Sequence, residues 1–172
     1  MKYPIGIQDF EKIIEDGYVY VDKTELVYKL ANEGHIYFLS RPRRFGKSLL
    51  ISTLKYYFQG RKDLFRGLAI DKLETKWAEY PVFHLSFGSA NFTKHGTLDE
   101  VIDNYLADFE NDYPTNTKPR DFGIRFASIL KAAHKKTGRR AVVLIDECDK
   151  PLLDVIDLEL QVTDSEGNRM RL

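Results

Sequence analysis

The chain has 172 residues, 43% of them apolar, enough to fill the core of one domain and too many for general disorder. Lys+Arg and Asp+Glu balance at 26 each, so no net charge drives the chain toward nucleic acid or an acidic membrane surface. The single cysteine, Cys148, excludes an internal disulfide framework and suits a reducing compartment.

The first 18 residues are mixed and weakly patterned. Tyr18-Val19-Tyr20-Val21 reads as a short strand-type run. Asp22 or Thr24 is placed to cap a helix over 25–33, with Leu26, Val27 and Leu30 on its buried side and Gly34 as its stop. His35-Ile36-Tyr37-Phe38-Leu39 predicts a strand. After a short polar loop, a helix is expected over 47–59, ended by Gly60. Leu50, Leu54, Tyr57 and Phe58 recur along it with the helical period of about 3.6 residues. Tyr56, Tyr57, Phe58 and Phe65 are core candidates, and residues 61–67 suggest a short helical turn.

Pro81-Val82-Phe83-His84-Leu85-Ser86-Phe87 predicts a second strand, with Pro81 tolerated at its first position. Residues 88–96 form a polar loop. Thr97, with Glu100 following it, has the pattern of a capping box opening a helix over 97–110. A loop containing Pro114 and Pro119 separates it from a helix over 121–137, closed by Gly138. A strand over 140–145 and a helix from Pro151 to about Leu158 complete the pattern. Strands alternating with helices indicate an α/β chain with a mostly parallel sheet. No stretch approaches the roughly 20 apolar residues of a membrane-spanning helix. The N-terminus MKYPIGIQDFEKI lacks the apolar core of a signal peptide, so a soluble cytoplasmic protein is expected.

Two segments carry chemistry. Arg41-Pro42-Arg43-Arg44-Phe45-Gly46-Lys47-Ser48 lies between the 35–39 strand and the following helix, the layout of a phosphate-binding loop. There, backbone N–H groups and the helix dipole face an anion. Lys47 would reach the outer phosphates of a nucleoside triphosphate, and the Ser48 hydroxyl would ligate Mg²⁺. The full pattern is GxxxxGK[ST], and Arg41 replaces its first glycine. Pro42 fixes φ and supplies stiffness in its place. Far downstream, the apolar run Ala141-Val142-Val143-Leu144-Ile145 ends on Asp146 and Glu147. Asp146 would hold Mg²⁺, largely through water, and Glu147 would orient and deprotonate the attacking water.

Other candidates are weaker. Cys148 is flanked by carboxylates and is poorly placed as a nucleophile. His35, His84, His95 and His134 have no metal-ligand spacing. Arg43 and Arg44 could contact phosphate or ribose, or pair with the acidic strand end. Lys135, Lys136, Arg139 and Arg140 read as a solvated helix end that complements the dipole, not as a nucleic-acid patch.

Several blocks together resemble the AAA-ATPase-like proteins abundant in gut and anaerobic bacteria. They are Tyr20-Val21-Asp22-Lys23-Thr24, the run from Tyr37 through Arg41-Pro42-Arg43-Arg44-Phe45-Gly46-Lys47-Ser48 to Leu49, Tyr57-Phe58-Gln59-Gly60, Pro81-Val82, and Leu144-Ile145-Asp146-Glu147-Cys148-Asp149-Lys150-Pro151. The resemblance covers residues 18–157 and implies a three-layer P-loop NTPase fold. Arg41 through Leu49 would form the nucleotide loop (Walker A) and Asp146 and Glu147 the acidic pair (Walker B), with ATP and Mg²⁺ bound. Cys148 stands where an aromatic is expected. Members often carry a C-terminal PD-(D/E)XK nuclease-like region, and no such constellation is found here.

The resemblance also implies a strand between the loop strand and the acidic strand, then sensor and arginine-finger elements, none of which can be identified. Residues 1–158 are therefore expected to form the ATPase-type domain, incomplete at its C-terminus, with 159–172 a short or atypical tail. The alternating stretch 158–163 is a candidate to fill the gap. A missing central strand would leave open sheet edges, which favour self-association or pairing with another chain. The expected function is ATP–Mg²⁺ binding with hydrolysis. The alternative is a non-hydrolysing nucleotide switch or an inactive remnant. A nucleic-acid module built on the arginine loop is disfavoured by the balanced charge.

Overall fold

The structure is a computed structural model that describes residues 1–33, 37, 45–116 and 119–156, and the backbone of 161–163 and 169–171. Its helices are α1 (Phe10–Glu15), α2 (Thr24–Asn32), α3 (Lys47–Phe58), α4 (Ala69–Leu73), α5 (Thr97–Asp112), α6 (Phe122–Thr137) and α7 (Lys150–Ile156), with a 3-10 turn at Lys62–Phe65. The strands are β1 (Val82–Ser86), β2 (Val142–Asp146), β3 (Gln161–Thr163) and β4 (Arg169–Arg171). β1 and β2 form one sheet. The Val142 N–H bonds to the Pro81 carbonyl (2.9 Å) and the Phe87 N–H to the Asp146 carbonyl (3.1 Å), so the two strands run parallel. Helices and a parallel pair joined through α5 and α6 make the chain α/β. The predicted strand over 35–39 lies outside the described residues, apart from Tyr37.

Of the candidate stretch 158–163, residues 158–160 lie outside the described residues. Its part Gln161–Thr163 pairs antiparallel with Arg169–Arg171, Gln161 opposite Arg171, in a sheet separate from β1 and β2.

The chain divides into two compact units, one of residues 1–84 and 137–144 and the other of residues 85–136 and 145–172. The first has a core of Phe10, Val27, Leu54, Tyr56, Tyr57, Leu64, Phe65, Ile70 and Leu144. Its rings interlock. Phe10 lies 4.8 Å from Phe65 and 5.2 Å from Tyr20, and Tyr57 meets Trp77 at 6.0 Å.

α1 was not legible in the sequence. Asp9 caps it by accepting from the Lys12 N–H (3.0 Å), and Phe10 and Ile13 are fully buried. α1 docks on α3: the Phe10 N–H bonds to Ser52 Oγ (2.9 Å), and Ser52 Oγ bonds to Asp9 Oδ2 (3.2 Å). The Tyr56 hydroxyl lies 3.1 Å from Asp9 and 3.0 Å from Glu11. Burial, then the two carboxylates, push the Tyr56 phenol well above its usual range. α3 is thus buried beyond its predicted face. Leu54, Tyr56 and Tyr57 are buried as expected, Leu50 and Phe58 are half-buried, and Ser52 and Thr53 are buried as well.

Three expectations in this unit fail. The N-cap of α2 is Lys23, with no side-chain cap bond, so neither Asp22 nor Thr24 takes that place. Leu26 is exposed while Val27 of the same helix is buried. Residues 18–21 form no strand; Val19 N–H makes a single bond to the Lys2 carbonyl (2.8 Å) in place of a ladder.

Asp22 and Thr24 act as a clamp. Asp22 Oδ1 accepts from the Thr24 N–H (2.9 Å) and hydroxyl (2.7 Å), and Asp22 Oδ2 from the Ala69 N–H (2.7 Å). Thr24 Oγ1, fully buried, accepts from the Ile70 N–H (3.0 Å). The pair therefore caps α4 from a distant part of the chain, because α4 has no side-chain cap of its own. Partial burial opposes ionisation of Asp22, but the Thr24 and Ala69 N–H donors and the Thr24 hydroxyl outweigh it and hold the carboxyl below its usual value.

A lowered folded value means the unfolded chain takes up the proton first. The contribution is intact above the unfolded pKa of 3.8 and is lost as the pH falls through the folded value. Asp22→Asn is expected to lose about 1 kcal/mol at neutral pH, the difference between charge-assisted and neutral hydrogen bonds at an exposed site. Urea midpoints of the two proteins should differ at neutral pH and converge at acid pH. A gap that persists unchanged would refute the charge's role.

The second unit packs Leu85, Phe87 and Phe92 against Val101, Ile102, Tyr105 and Phe109. The Tyr105 hydroxyl accepts from the Ser86 N–H (3.0 Å) and donates to the Ser86 carbonyl (2.9 Å), satisfying both backbone groups at the end of β1. α5 does not open with a capping box. Its N-cap is Gly96, left-handed at φ +85°, so Thr97 is already helical and no side chain caps the start. α6 is capped by Asp121, which accepts from the Ile124 N–H (2.8 Å). Between the two helices lies a buried ion pair that the sequence did not announce. Arg125 meets Glu110 through Nε–Oε1 (2.8 Å) and Nη2–Oε2 (2.9 Å) and also contacts Asp103. Removing one partner would strand a buried charge, typically at a cost of about 3–5 kcal/mol. Among the described residues no helix is long and apolar enough to cross a membrane.

Candidate functional site

One candidate segment is the start of α3. Gly46 is its N-cap and adopts φ +77°, a left-handed conformation that only glycine takes without strain. Lys47 is the first helical residue, followed by Ser48 and Leu49. The first intrahelical bond runs from the Leu50 N–H to the Gly46 carbonyl (3.0 Å), so the N–H groups of Lys47, Ser48 and Leu49 belong to the set that a helix cannot satisfy internally. The first turn has no side-chain cap and no acidic residue. Lys47 is exposed and Ser48 half-buried. Phe45, just before the turn, is exposed. Arg41, Pro42, Arg43 and Arg44 lie outside the described residues. Tyr37 is exposed, and its hydroxyl donates to the Lys29 carbonyl (3.2 Å).

The other candidate segment is the end of β2. Asp146 is its last residue, half-buried, with its carbonyl tied to the Phe87 N–H. Leu144 is buried, whereas Val143 and Ile145 on the alternate face are exposed, so the apolar run is half-covered. Glu147 follows at φ +54°. A non-glycine residue there costs about 1–2 kcal/mol, and such strain concentrates at functional positions. The Glu147 carbonyl accepts from the Lys150 N–H (3.0 Å), closing the turn into α7. Cys148 and Asp149 are exposed.

Lys150 Nζ pairs with both Asp154 oxygens at 2.6 Å, and Asp154 also accepts from the Phe92 N–H (3.1 Å). Lys150 first, then Phe92, hold the Asp154 carboxyl below its usual range. That pair fixes α7 beside the loop after β1, a role not evident from the sequence. Gly88 was also missed. The Glu147 carboxylate lies against it, where any Cβ would overlap Oε2 and stand 2.9 Å from Cδ. Its signal was available: a glycine directly after a predicted strand.

Ser48 and Asp146 are hard oxygen donors of the kind Mg²⁺ prefers. Among the described residues no group of three or more His, Cys, Asp or Glu could hold a metal by itself.

Residues 4–171 match the family described as Predicted AAA-ATPase. A curated protein of Azotobacter chroococcum mcd 1, described as an uncharacterized protein in the vnfD 5′ region, is 44% identical over 154 residues. The match covers 89% of this chain and 30% of that protein, so the chain spans less than a third of this relative's length. No solved structure matches the chain.

Proposed function

The chain belongs to the AAA-ATPase-like family, and we propose that it binds ATP with Mg²⁺ and hydrolyses the β–γ bond. On this reading residues 1–158 are a P-loop domain of three-layer type. The observation that carries it is the opening of α3: a left-handed Gly46, then Lys47 and Ser48 on a helix start whose N–H groups have no internal acceptor. Those N–H groups and the helix dipole bind phosphate oxygens. Lys47 holds the outer phosphates. Ser48 and Asp146 would hold Mg²⁺, which when bound neutralises charge on the β and γ oxygens.

Glu147 does the proton chemistry. Its carboxylate orients a water in line with the bridging oxygen and takes one of its protons as the water oxygen bonds to the γ-phosphorus. The bond from that phosphorus to the bridging oxygen breaks, ADP leaves with the electron pair, and the proton passes on to the products or solvent. Titration with a fluorescent ATP analogue, with and without Mg²⁺, tests the binding. Saturable binding that Mg²⁺ tightens is expected, with phosphate release above background. Absence of saturable binding would overturn the proposal.

A further inference from the structure

We propose that Gly88 is a positioning residue for the Glu147 carboxylate, so that the residue after the neighbouring strand sets where the base sits. The inference rests on the reading of Glu147 as the base.

Three observations converge on it. First, the sheet fixes the neighbourhood. The Phe87 N–H to Asp146 carbonyl bond joins the residues immediately before Gly88 and Glu147, so the two are brought side by side by strand pairing and not by a mobile loop. Second, Gly88 has no backbone reason to be glycine. Gly6, Gly17, Gly46, Gly67, Gly96 and Gly138 all have φ between +67° and +85° and open space where a Cβ would go. Gly88 is not among the left-handed glycines, and what a Cβ would meet there is the Glu147 carboxylate. Its use is therefore space. Third, Glu147 is held at φ +54°, so its Cα–Cβ direction is set by a strained backbone, and the Lys150 N–H bond to its carbonyl holds that turn. One side of the turn aims the side chain and the other leaves room for its end.

A methyl group at position 88 meets the tip of an exposed, flexible side chain. The carboxylate can swing away with no change to the backbone or the cores. Gly88→Ala is thus expected to displace the base and leave the fold and the phosphate loop intact. A displacement of about 1 Å at a reacting group can lower turnover about 100-fold.

The experiment measures phosphate release and fluorescent ATP-analogue affinity for wild type, Gly88→Ala, Glu147→Gln and the double variant. For Gly88→Ala, kcat should fall about 10- to 100-fold while KM and the analogue Kd stay at wild-type values. The double variant should be no slower than Glu147→Gln alone. Wild-type kcat in Gly88→Ala overturns the proposal, and so does a further loss in the double variant, because that loss would not pass through Glu147. A second measurement does not depend on turnover. The Glu147 carboxyl ¹³C resonance, identified by its disappearance in Glu147→Gln, should shift in Gly88→Ala, and an unmoved resonance overturns the positioning role. If wild type binds nucleotide, releases no phosphate, and the resonance still shifts, hydrolysis is what fails: the seat then exists without the reaction assigned to it.

Discussion

Lys47→Ala is expected to weaken nucleotide binding by about 100- to 1000-fold, or roughly 3–4 kcal/mol. The size follows from what the ammonium does. At about 4 Å from a phosphate oxygen, near a protein surface, one charge pair contributes on the order of 4 kcal/mol before desolvation is subtracted. A triphosphate offers several charges to one ammonium. Lys47 is exposed, and among the described residues no hydrogen bond or ion pair claims it, so its charge is available to a ligand. Its removal should leave stability nearly unchanged. Titration with the fluorescent analogue reads the loss, and thermal unfolding without nucleotide is the control. Lys47→Arg should not restore full affinity, because a planar guanidinium does not replace a compact ammonium at the start of a helix. Wild-type affinity in Lys47→Ala would remove the phosphate loop from the account.

The sequence was most legible where local physics dominates. Leu54 and Tyr57 share a helical face, and the helix they belong to runs almost as expected, from Lys47 to Phe58. Gly46-Lys47-Ser48 was placed at a helix start, and the left-handed conformation of Gly46 is what the structure adds. Pro81 preceded a strand, and the acidic pair ended one.

What was not legible depends on partners distant in the chain. α1 is too short for a periodic signal and owes its place to Ser52 and Tyr56, some 40 residues on. Asp22 and Thr24 looked like caps for their own helix, but the N-cap there is Lys23 and the pair serves α4 instead. Thr97 and Glu100 matched a capping pattern, but the left-handed Gly96 started the helix one residue earlier. Gly88 could be seen as a glycine; its relation to Glu147 needs the β1–β2 register, which sequence alone does not supply.

Glu147→Gln should separate binding from chemistry. The amide has the size of the carboxylate and can still hydrogen-bond a water, but it cannot take up a proton. Loss of a general base typically costs about 10²–10⁴ in rate, so kcat should fall by that amount while the analogue Kd changes less than about threefold. Equal phosphate release from wild type and Glu147→Gln would mean the observed turnover is background, and the chain would then be a nucleotide binder that does not hydrolyse.

The backbone adds a second arm. Glu147 sits at φ +54°, where glycine is at ease and glutamate is not. Glu147→Gly is expected to abolish turnover and, at the same time, raise stability by roughly 1 kcal/mol, because it relieves the strained conformation. A residue kept there against its own conformational preference is one whose side chain matters. If Glu147→Gly were instead less stable than wild type, the left-handed turn would not be a source of strain. The case for Glu147 would then rest on the kinetics of Glu147→Gln alone.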